Sequence, residues 1–524
     1  EDAFRAFSRK GITLIVGEES RPTQAKYQLS SVSEVRNFLY MLQVYMRNWR
    51  TWSLDYQEYV PGLEGLREAL CTLGNGYFAT RGAGQECKAD EIHYPGTYLA
   101  GGYNRLQTTV AGRIVENEDL VNMPNWLCLF FRFPGEDWFS VDQVEIISYR
   151  MGVDLKNGVF FRSIHFRDHA GRETRLFHRR LVSMEQMHMA ALETGIVPVN
   201  WSGTLQIRTA LDGQVDNSGV KRYQQLNNQH LEPVHTKEID ERTIGLKVRT
   251  NQSNIHVSQA ARTEVFQGRK PVRVERQCVQ EPGYIAQDFQ VEMEQDKGLH
   301  LDKVVSFYTS RDPSISESFL EASHSAQRSG RFASLLRGHT LAWNHLWRRF
   351  AVEVELNLSE DPEEGPFGYD HYHFVQRTLH IYCFHLLQST SMHSLDIDVG
   401  MPARGWHGEA YRGHIFWDEI IIFPYLNFRA PQITRTLLMY RYRRLAKARE
   451  MARDLGYKGA MYPWQSGSNG REETQTMHLN PDSGRWVPDK SHLQRHINVA
   501  IVYNIWQYCQ ISGDFEFLSF YGAE

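Results

Sequence analysis

Between Trp49 and about Ser310, apolar and polar positions alternate or β-branched residues cluster in short runs, among them WFSVDQVEIIS, RSIHFRD, TLQIRTALD, TIGLKVRT, NIHVSQAARTEVF and KVVSFYTS. Gly, Asn, Asp and Pro turns divide these runs at short intervals, a pattern that predicts a large antiparallel β-sandwich. Near its start, the glycines of GNGYFATRG (74–82) suit a φ > 0 turn, and we read this motif as mainly structural. From Pro313 to Phe350 the period lengthens to that of a helix. Leu335, Trp343, Leu346 and Trp347 fall at three- and four-residue steps, with the Trp pair read as packing, and AVEVELNLSEDPEEGPFG follows as a strand and an acidic, turn-rich loop.

Beyond Tyr369 the pattern is almost entirely helical. Phe374, Thr378, Ile381, Phe384 and Leu387 form one apolar stripe. A long helix is predicted from Pro431 to Gly456, with Ile433, Leu437, Leu445, Ala448, Met451, Ala452 and Leu455 inward. Another opens on a Ser491 cap and ends at Gly513. At the start of the chain DAFRAF predicts a helix, GITLIVG (11–17) a short strand, Pro22 a break, and SVSEVRNFLYML (31–42) a helix capped by Ser33. One strand flanked by helices is too little for a domain.

Length and charge narrow the classes. A chain of 524 residues has room for two to four domains. Its 58 basic and 62 acidic residues leave a net charge of −4, which gives no electrostatic reason to expect a nucleic acid or a membrane surface as partner. Cys71, Cys87, Cys128, Cys278, Cys383 and Cys509 are scattered, without CxxC or metal-ligand spacing, as reduced thiols of a cytoplasmic protein would be. No apolar run is long enough to span a bilayer, and EDAFRAFSRK is not a signal peptide.

Candidate chemistry concentrates in PARGWHGEAYRGHIFWDEIIIFPYLNFR (402–429), where two Gly-bracketed polar turns precede a Trp-Asp pair. A hexose presents hydroxyls that want carboxylate, guanidinium and imidazole partners, and a C–H face that wants an indole. Trp417, Asp418, Arg412, His414 and Glu409 can supply all of these, with Trp464 and Gln465 as further candidates. The same residues also suit a buried Trp and a salt-bridged Asp at a helix start. His371, His373, His380 and His385 have no carboxylate or Cys at matching spacing, so they are read as packing and surface positions, and His492 and His496 as scaffolding; no metal site is assigned.

Several long strings in order resemble glycoside hydrolase family 65, the kojibiose, trehalose and maltose phosphorylases with their hydrolase relatives. They are WSLDYQEYVPGLEGLREALCTLGNGYFATRGA (52–83), GTYLAGGYNRL and ENEDLVNMPNW (96–126), the 402–429 segment, FVQRTLHIYCFHLLQS (374–389), GAMYPWQSGSNGREETQ (459–475) and SHLQRHINVAIVYNIWQYCQISGDFEFL (491–518). The resemblance implies a β-sandwich (46–312), a helical linker (313–368) and the first part of an (α/α)6 catalytic barrel (369–524). The opening residues, 1–45, resemble the C-terminal tail of trehalose-6-phosphate phosphatases of the haloacid dehalogenase superfamily, so a short α/β remnant is expected there.

The resemblance also implies inverting phosphorolysis of trehalose or kojibiose to β-glucose 1-phosphate and glucose in the complete protein. Inversion needs one carboxylic acid to protonate the leaving oxygen and a nucleophile on the opposite ring face. Inorganic phosphate would be that nucleophile and co-substrate, no cofactor is expected, and Mg²⁺ would serve only the phosphatase part absent upstream. The family's acid Glu lies in a Gly-Pro-Asp-Glu-like loop that does not occur here, so it is expected beyond residue 524, and Glu409, Glu419, Glu472 and Glu473 are not promoted to the role. Carry-over therefore reaches only glucosyl recognition by Trp417 and Asp418, with Arg412, His414, Trp464 and Gln465 weaker. Glu419 directly after the Trp-Asp pair departs from the Thr-Glu of many members and leaves linkage open. A hydrolase of the same family and a non-catalytic glucoside-binding module remain alternatives. Partners are expected to be a disaccharide and phosphate, with a homodimer implied by the resemblance alone.

Overall fold

The computed structural model describes residues 14–17, 27–110, 112–268, 270–354 and 369–524. The expected DAFRAF helix, Pro22 and the acidic loop after Ser359 lie outside them. Two compact units emerge, one of Glu1–Ser53 with Val352–Ile381 and one of Leu54–Ala351 with Tyr382–Glu524.

In the first unit Leu14–Val16 pairs in parallel with Tyr27–Leu29. The helix that follows, Val32–Trp52, is capped by Ser31 rather than Ser33: Ser31 has extended backbone and its hydroxyl accepts the Glu34 N–H at 3.2 Å. Helix also persists through Trp49, where the β pattern was expected to begin. His380 bonds the Thr51 carbonyl at 2.8 Å and stacks on Trp52, which makes it a packing histidine. Residues 351–354 adopt no strand, and Phe374 of the expected stripe is exposed.

Early in the second unit a helix, Pro61–Leu70, occupies a stretch read as β; Pro61 stands at its first turn, where the missing N–H costs nothing. The strands are β1 (Thr97–Val110), β2 (Arg113–Asn122), β3 (Leu129–Arg132), β4 (Glu145–Asp154), β5 (Val159–Arg167), β6 (Glu173–Val182), β7 (Met189–Pro198), β8 (Gly203–Asp212), β9 (Leu231–Asp240), β10 (Thr243–Thr250), β11 (His256–Gln267), β12 (Gln277–Glu281), β13 (Tyr284–Met293) and β14 (Leu299–Thr309). A broad antiparallel sheet runs β9-β10-β11-β14-β7-β6-β5-β4, and a second runs β12-β13-β8-β3. Alternation places Leu205 and Ile207 of β8 inward while Gln206 and Arg208 are half-exposed. A third sheet joins the long β1–β2 hairpin to Phe78–Thr80 and Leu73–Gly74.

One charge lies between the two main sheets. Lys303 of β14 is fully buried, and its ammonium donates to the carbonyls of Ala210 (2.7 Å) and Cys128 (3.0 Å) on the opposing layer. Burial without a carboxylate partner pushes it down to about 7.

Two helices cover the broad sheet, α1 (Ser318–Arg328) and α2 (Phe332–Phe350). Ala322 and Ala326 let α1 lie close on Ala260, and Phe332 and Leu335 of α2 pack with Leu181, Met189 and Val304. Trp343 and Trp347 are buried, Trp343 stacking on Phe384 and Trp347 donating to the Leu155 carbonyl, in keeping with the packing role read for the pair. The GNGYFATRG turn pins the sandwich to the segment after Tyr369–Ser389: Gly76 has φ 88°, its N–H meets the Gln388 carbonyl at 2.7 Å, and Ser391 donates to the Asn75 carbonyl at 2.6 Å.

The C-terminal region comprises α3 (Glu419–Arg429), α4 (Pro431–Arg443), α5 (Leu445–Asp454) and α6 (Ile497–Ser512). The single helix expected from Pro431 to Gly456 is broken at Arg444, whose side chain holds the Tyr440 and Ser468 carbonyls and Asp398. Leu455 is consequently exposed beyond the second helix. A hairpin, Met477–Asn480 with Arg485–Pro488, interrupts the helical run. Ser491 sits in a short 3-10 turn and caps nothing, whereas Gly513 ends α6 as read, in the left-handed conformation at φ 67°. Among the described residues no helix is long and apolar enough to cross a membrane.

Folded Lys303 releases its proton near pH 7, whereas an ordinary lysine holds its own to about 10.5. Across that range the unfolded chain binds the extra proton, so this group contributes stability that rises with pH by up to about 1.4 kcal/mol per pH unit. Urea unfolding of the wild type and Lys303→Met between pH 7 and 10 should show the wild type gaining on the variant as pH increases.

Candidate functional site

The turn ahead of the Trp-Asp pair is built in an unusual backbone. Tyr411, Arg412 and Gly413 take φ of 55°, 57° and 65° in succession. Side-chain-bearing residues adopt this region at a cost of about 1–2 kcal/mol each, so surrounding contacts must hold the turn. At Gly413 a Cβ would lie 2.7 Å from Leu120 of β2, so only glycine lets the turn approach the sandwich hairpin this closely. Tyr103 donates to the Gly413 carbonyl at 2.5 Å, and Tyr98, Tyr103 and Leu120 pack with Val399 and Trp406 in a shared core.

Two of the predicted residues are consumed by this seam. Glu409 is buried and accepts from the Tyr94 hydroxyl, from Tyr98 (3.1 Å) and from the Gly219 N–H (2.9 Å). Desolvation outweighs those donors and raises its carboxyl to about 7. Arg412 is buried in an ion pair with Asp119, its guanidinium 4.0 Å from the Tyr223 ring centroid.

His414 and Gln465 are brought together. Gln465 Nε2 donates to His414 Nδ1 at 2.8 Å, which places the imidazole hydrogen on Nε2. Burial and the charges of Arg412 and Arg105 hold this ring neutral, well below the ordinary histidine range. The next loop is fitted just as closely: a Cβ on Gly467 would fall 1.8 Å from Glu118 Oε2, and Glu118 binds both the Ser468 N–H (2.7 Å) and its hydroxyl.

Trp417, Trp464 and His496 form a separate aromatic cluster. Trp417 and Trp464 meet His496 with centroids at 4.7 and 4.9 Å, and the indoles lie 6.2 Å apart. Trp417 keeps 42% of its surface exposed, which leaves a ring face for a ligand. Beside it Asp418, at the start of α3, is half-buried, and its carboxylate has no ion-pair or hydrogen-bond partner among the described residues.

The neighbouring carboxylates are all engaged. Glu419 is buried against Arg441 at 3.0 Å and accepts the Met401 N–H. Glu472 accepts the backbone N–H groups of Trp464, Gln465 and Thr474. Glu473 makes a bidentate pair with Arg105 of β1. Sequence reasoning missed Tyr94, Tyr98, Arg105, Glu118 and Asp119, some 300 positions before their partners, whereas the place of His496 against Trp417 and Trp464 accords with its reading as loop and pocket scaffolding. The polar ENED string of β2 was the available signal, since alternation does not account for four consecutive polar residues in a strand.

Residues 54–346 match the family model "Glycosyl hydrolase family 65, N-terminal domain", and 380–524 match "Glycosyl hydrolase family 65 central catalytic domain". An uncharacterized glycosyl hydrolase of Mycobacterium tuberculosis is 40% identical over all of this chain and 39% of its own length. Kojibiose phosphorylase of Halothermothrix orenii is 31% identical over 91% of the chain and 58% of itself. Trehalose 6-phosphate phosphorylase of Lactococcus lactis is 30% identical over 89% and 57%. The chain thus spans well under two thirds of the relatives it matches. A solved structure, a putative kojibiose phosphorylase from human microbiome, superposes with a TM-score of 0.72 at 19% identity over 90% of this chain and 57% of that one, a likeness of fold.

Removing either partner of the buried Arg412–Asp119 pair leaves the other charge stranded. Asp119→Asn and Arg412→Met should each cost about 3–5 kcal/mol in urea unfolding, and the double variant should lose clearly less than their sum.

Proposed function

The chain belongs to glycosyl hydrolase family 65, and on that footing we propose that the whole protein cleaves an α-glucosidic bond of a disaccharide, trehalose or kojibiose, by phosphorolysis with inversion. The named activities of its relatives support phosphate as the nucleophile. The observation that carries the reading for this chain is Asp418, a carboxylate without a partner among the described residues in a neighbourhood where Glu409, Glu419, Glu472 and Glu473 are all bound, set beside the open Trp417 ring.

In this reading the apolar face of a glucosyl ring lies on Trp417, with Trp464 behind it, and Asp418 accepts from two of its hydroxyls. The resemblance puts the family's acid Glu in a Gly-Pro-Asp-Glu-like loop that does not occur in this chain. We therefore assign the proton donor to no residue of this chain and place it in the portion of the whole protein corresponding to what the relatives have in addition. Phosphate arrives as an anion and needs only donors to hold it, so no second carboxylate is required. The six free thiols, four of them buried, fit a cytoplasmic setting for this enzyme.

The test uses the full-length protein with trehalose, kojibiose, nigerose and maltose, each with and without inorganic phosphate. Phosphate-dependent β-glucose 1-phosphate supports the proposal, and phosphate-independent glucose makes the enzyme a hydrolase. Trp417→Ala and Asp418→Asn should each lower kcat/KM about 10- to 100-fold, the scale of one lost stacking or charged hydrogen-bond contact, while thermal melting stays near wild type because both side chains are partly exposed.

A further inference from the structure

The turn joining α1 to α2, Ser329–Arg331, faces the irregular segment 272–276 across a cleft of about 500 Å³, within the range of small-molecule sites. Five arginines and two glutamates line it. The glutamates are already taken: Arg242 pairs with Glu264 at 2.8 Å and Arg273 with Glu241 at 3.1 Å.

The other three arginines have no carboxylate within ion-pair distance among the described residues. Arg262, only 8% exposed, directs its terminal nitrogens to the carbonyls of Gln327, Ser329 and Gly330, and its Nε is buried without a partner. Arg276 donates to Gln287 Oε1 at 2.9 Å and to the Thr263 carbonyl at 2.7 Å. Its burial lowers it to about 10, so it remains cationic at neutral pH. Arg331 is exposed and lies 4.7 Å over the Phe266 ring. The Ser329 hydroxyl is also buried without a partner.

Carbonyls and an amide satisfy hydrogen bonds but do not neutralise a cation, and drawing the Arg262 and Arg276 guanidinium groups out of water without a paired carboxylate is costly. An anion entering the cleft would offset that cost. Planar guanidinium forks pair with phosphate oxygens as they do with carboxylates, a phosphate group offers more oxygens and charge to three arginines at once, and Val265, Val272 and Phe266 give the cleft an apolar wall against which carbon can lie.

We propose that this cleft is a second ligand site on the sandwich, which binds the phosphate group of a small molecule through Arg262, Arg276 and Arg331. Its place between the sheet and the start of α2 separates it in the fold from the Trp417–Asp418 cluster, and the proposal does not depend on phosphorolysis.

Calorimetric titration of the protein at low ionic strength with inorganic phosphate, glucose 6-phosphate and glucose tests it, alongside Arg331→Glu and Asp418→Asn. Saturable phosphate or glucose 6-phosphate binding, weakened at least tenfold in Arg331→Glu and retained in Asp418→Asn, with glucose inert, supports the site. A glucose 6-phosphate preference of tenfold or more assigns it to phosphate monoesters, and equal binding assigns it to phosphate itself. Arg331 is exposed, so an unchanged melting temperature shows that the variant is folded. No saturable binding, or binding equally strong in folded Arg331→Glu, overturns the proposal.

Discussion

The turn 409–414 can exist only because the sandwich hairpin holds it. Three successive left-handed residues would not persist in an isolated loop. Here Asp119 fixes Arg412, Tyr94 and Tyr98 fix Glu409, and Tyr103 fixes the Gly413 carbonyl. Everything downstream inherits its position from that seam: Ile415 pairs with Ser466, His414 with Gln465, and α3 begins directly after the Trp-Asp pair. The β-sandwich is therefore part of the site's construction, and its β1–β2 hairpin acts as the template on which the helical region's loops are set.

Charge is distributed by the same logic. Buried carboxylates near the turn are each matched by a guanidinium, tyrosine hydroxyls or backbone N–H groups, as a low-dielectric environment requires. Asp418 departs from the pattern, being half-buried with no partner beside a part-exposed indole. Lys303 and Arg262 show two fates of a buried basic group, one enclosed by carbonyls between sheets, the other lining the 500 Å³ cleft.

Much of the architecture was legible. Alternating or β-branched runs placed β5, β8, β10, β11 and β14, whereas WFSVDQVEIIS reaches only the start of β4 and holds a 3-10 turn at Val141–Gln143. Gly513 and Pro431 marked real helix ends for reasons of φ and a missing N–H. The misreadings share a cause. Arg444 breaks the expected long helix through bonds to Asp398 and the Ser468 carbonyl, groups distant in sequence, and the Ser31 cap differs from Ser33 by which backbone turns extended.

At the candidate site, the chain's own order of residues determined that Trp417, Asp418, His414 and Gln465 lie in loops rich in aromatic and hydrogen-bonding side chains, since short-range composition carries that chemistry. Only tertiary packing decided which polar groups stay free. Glu409 and Arg412 looked equally available, yet Tyr94, Tyr98 and Asp119, about 300 positions earlier, bind them, while among the described residues no such group reaches Asp418. Local sequence specifies the donors and acceptors a residue has; their partners depend on contacts between segments that only the folded chain brings within 3 Å.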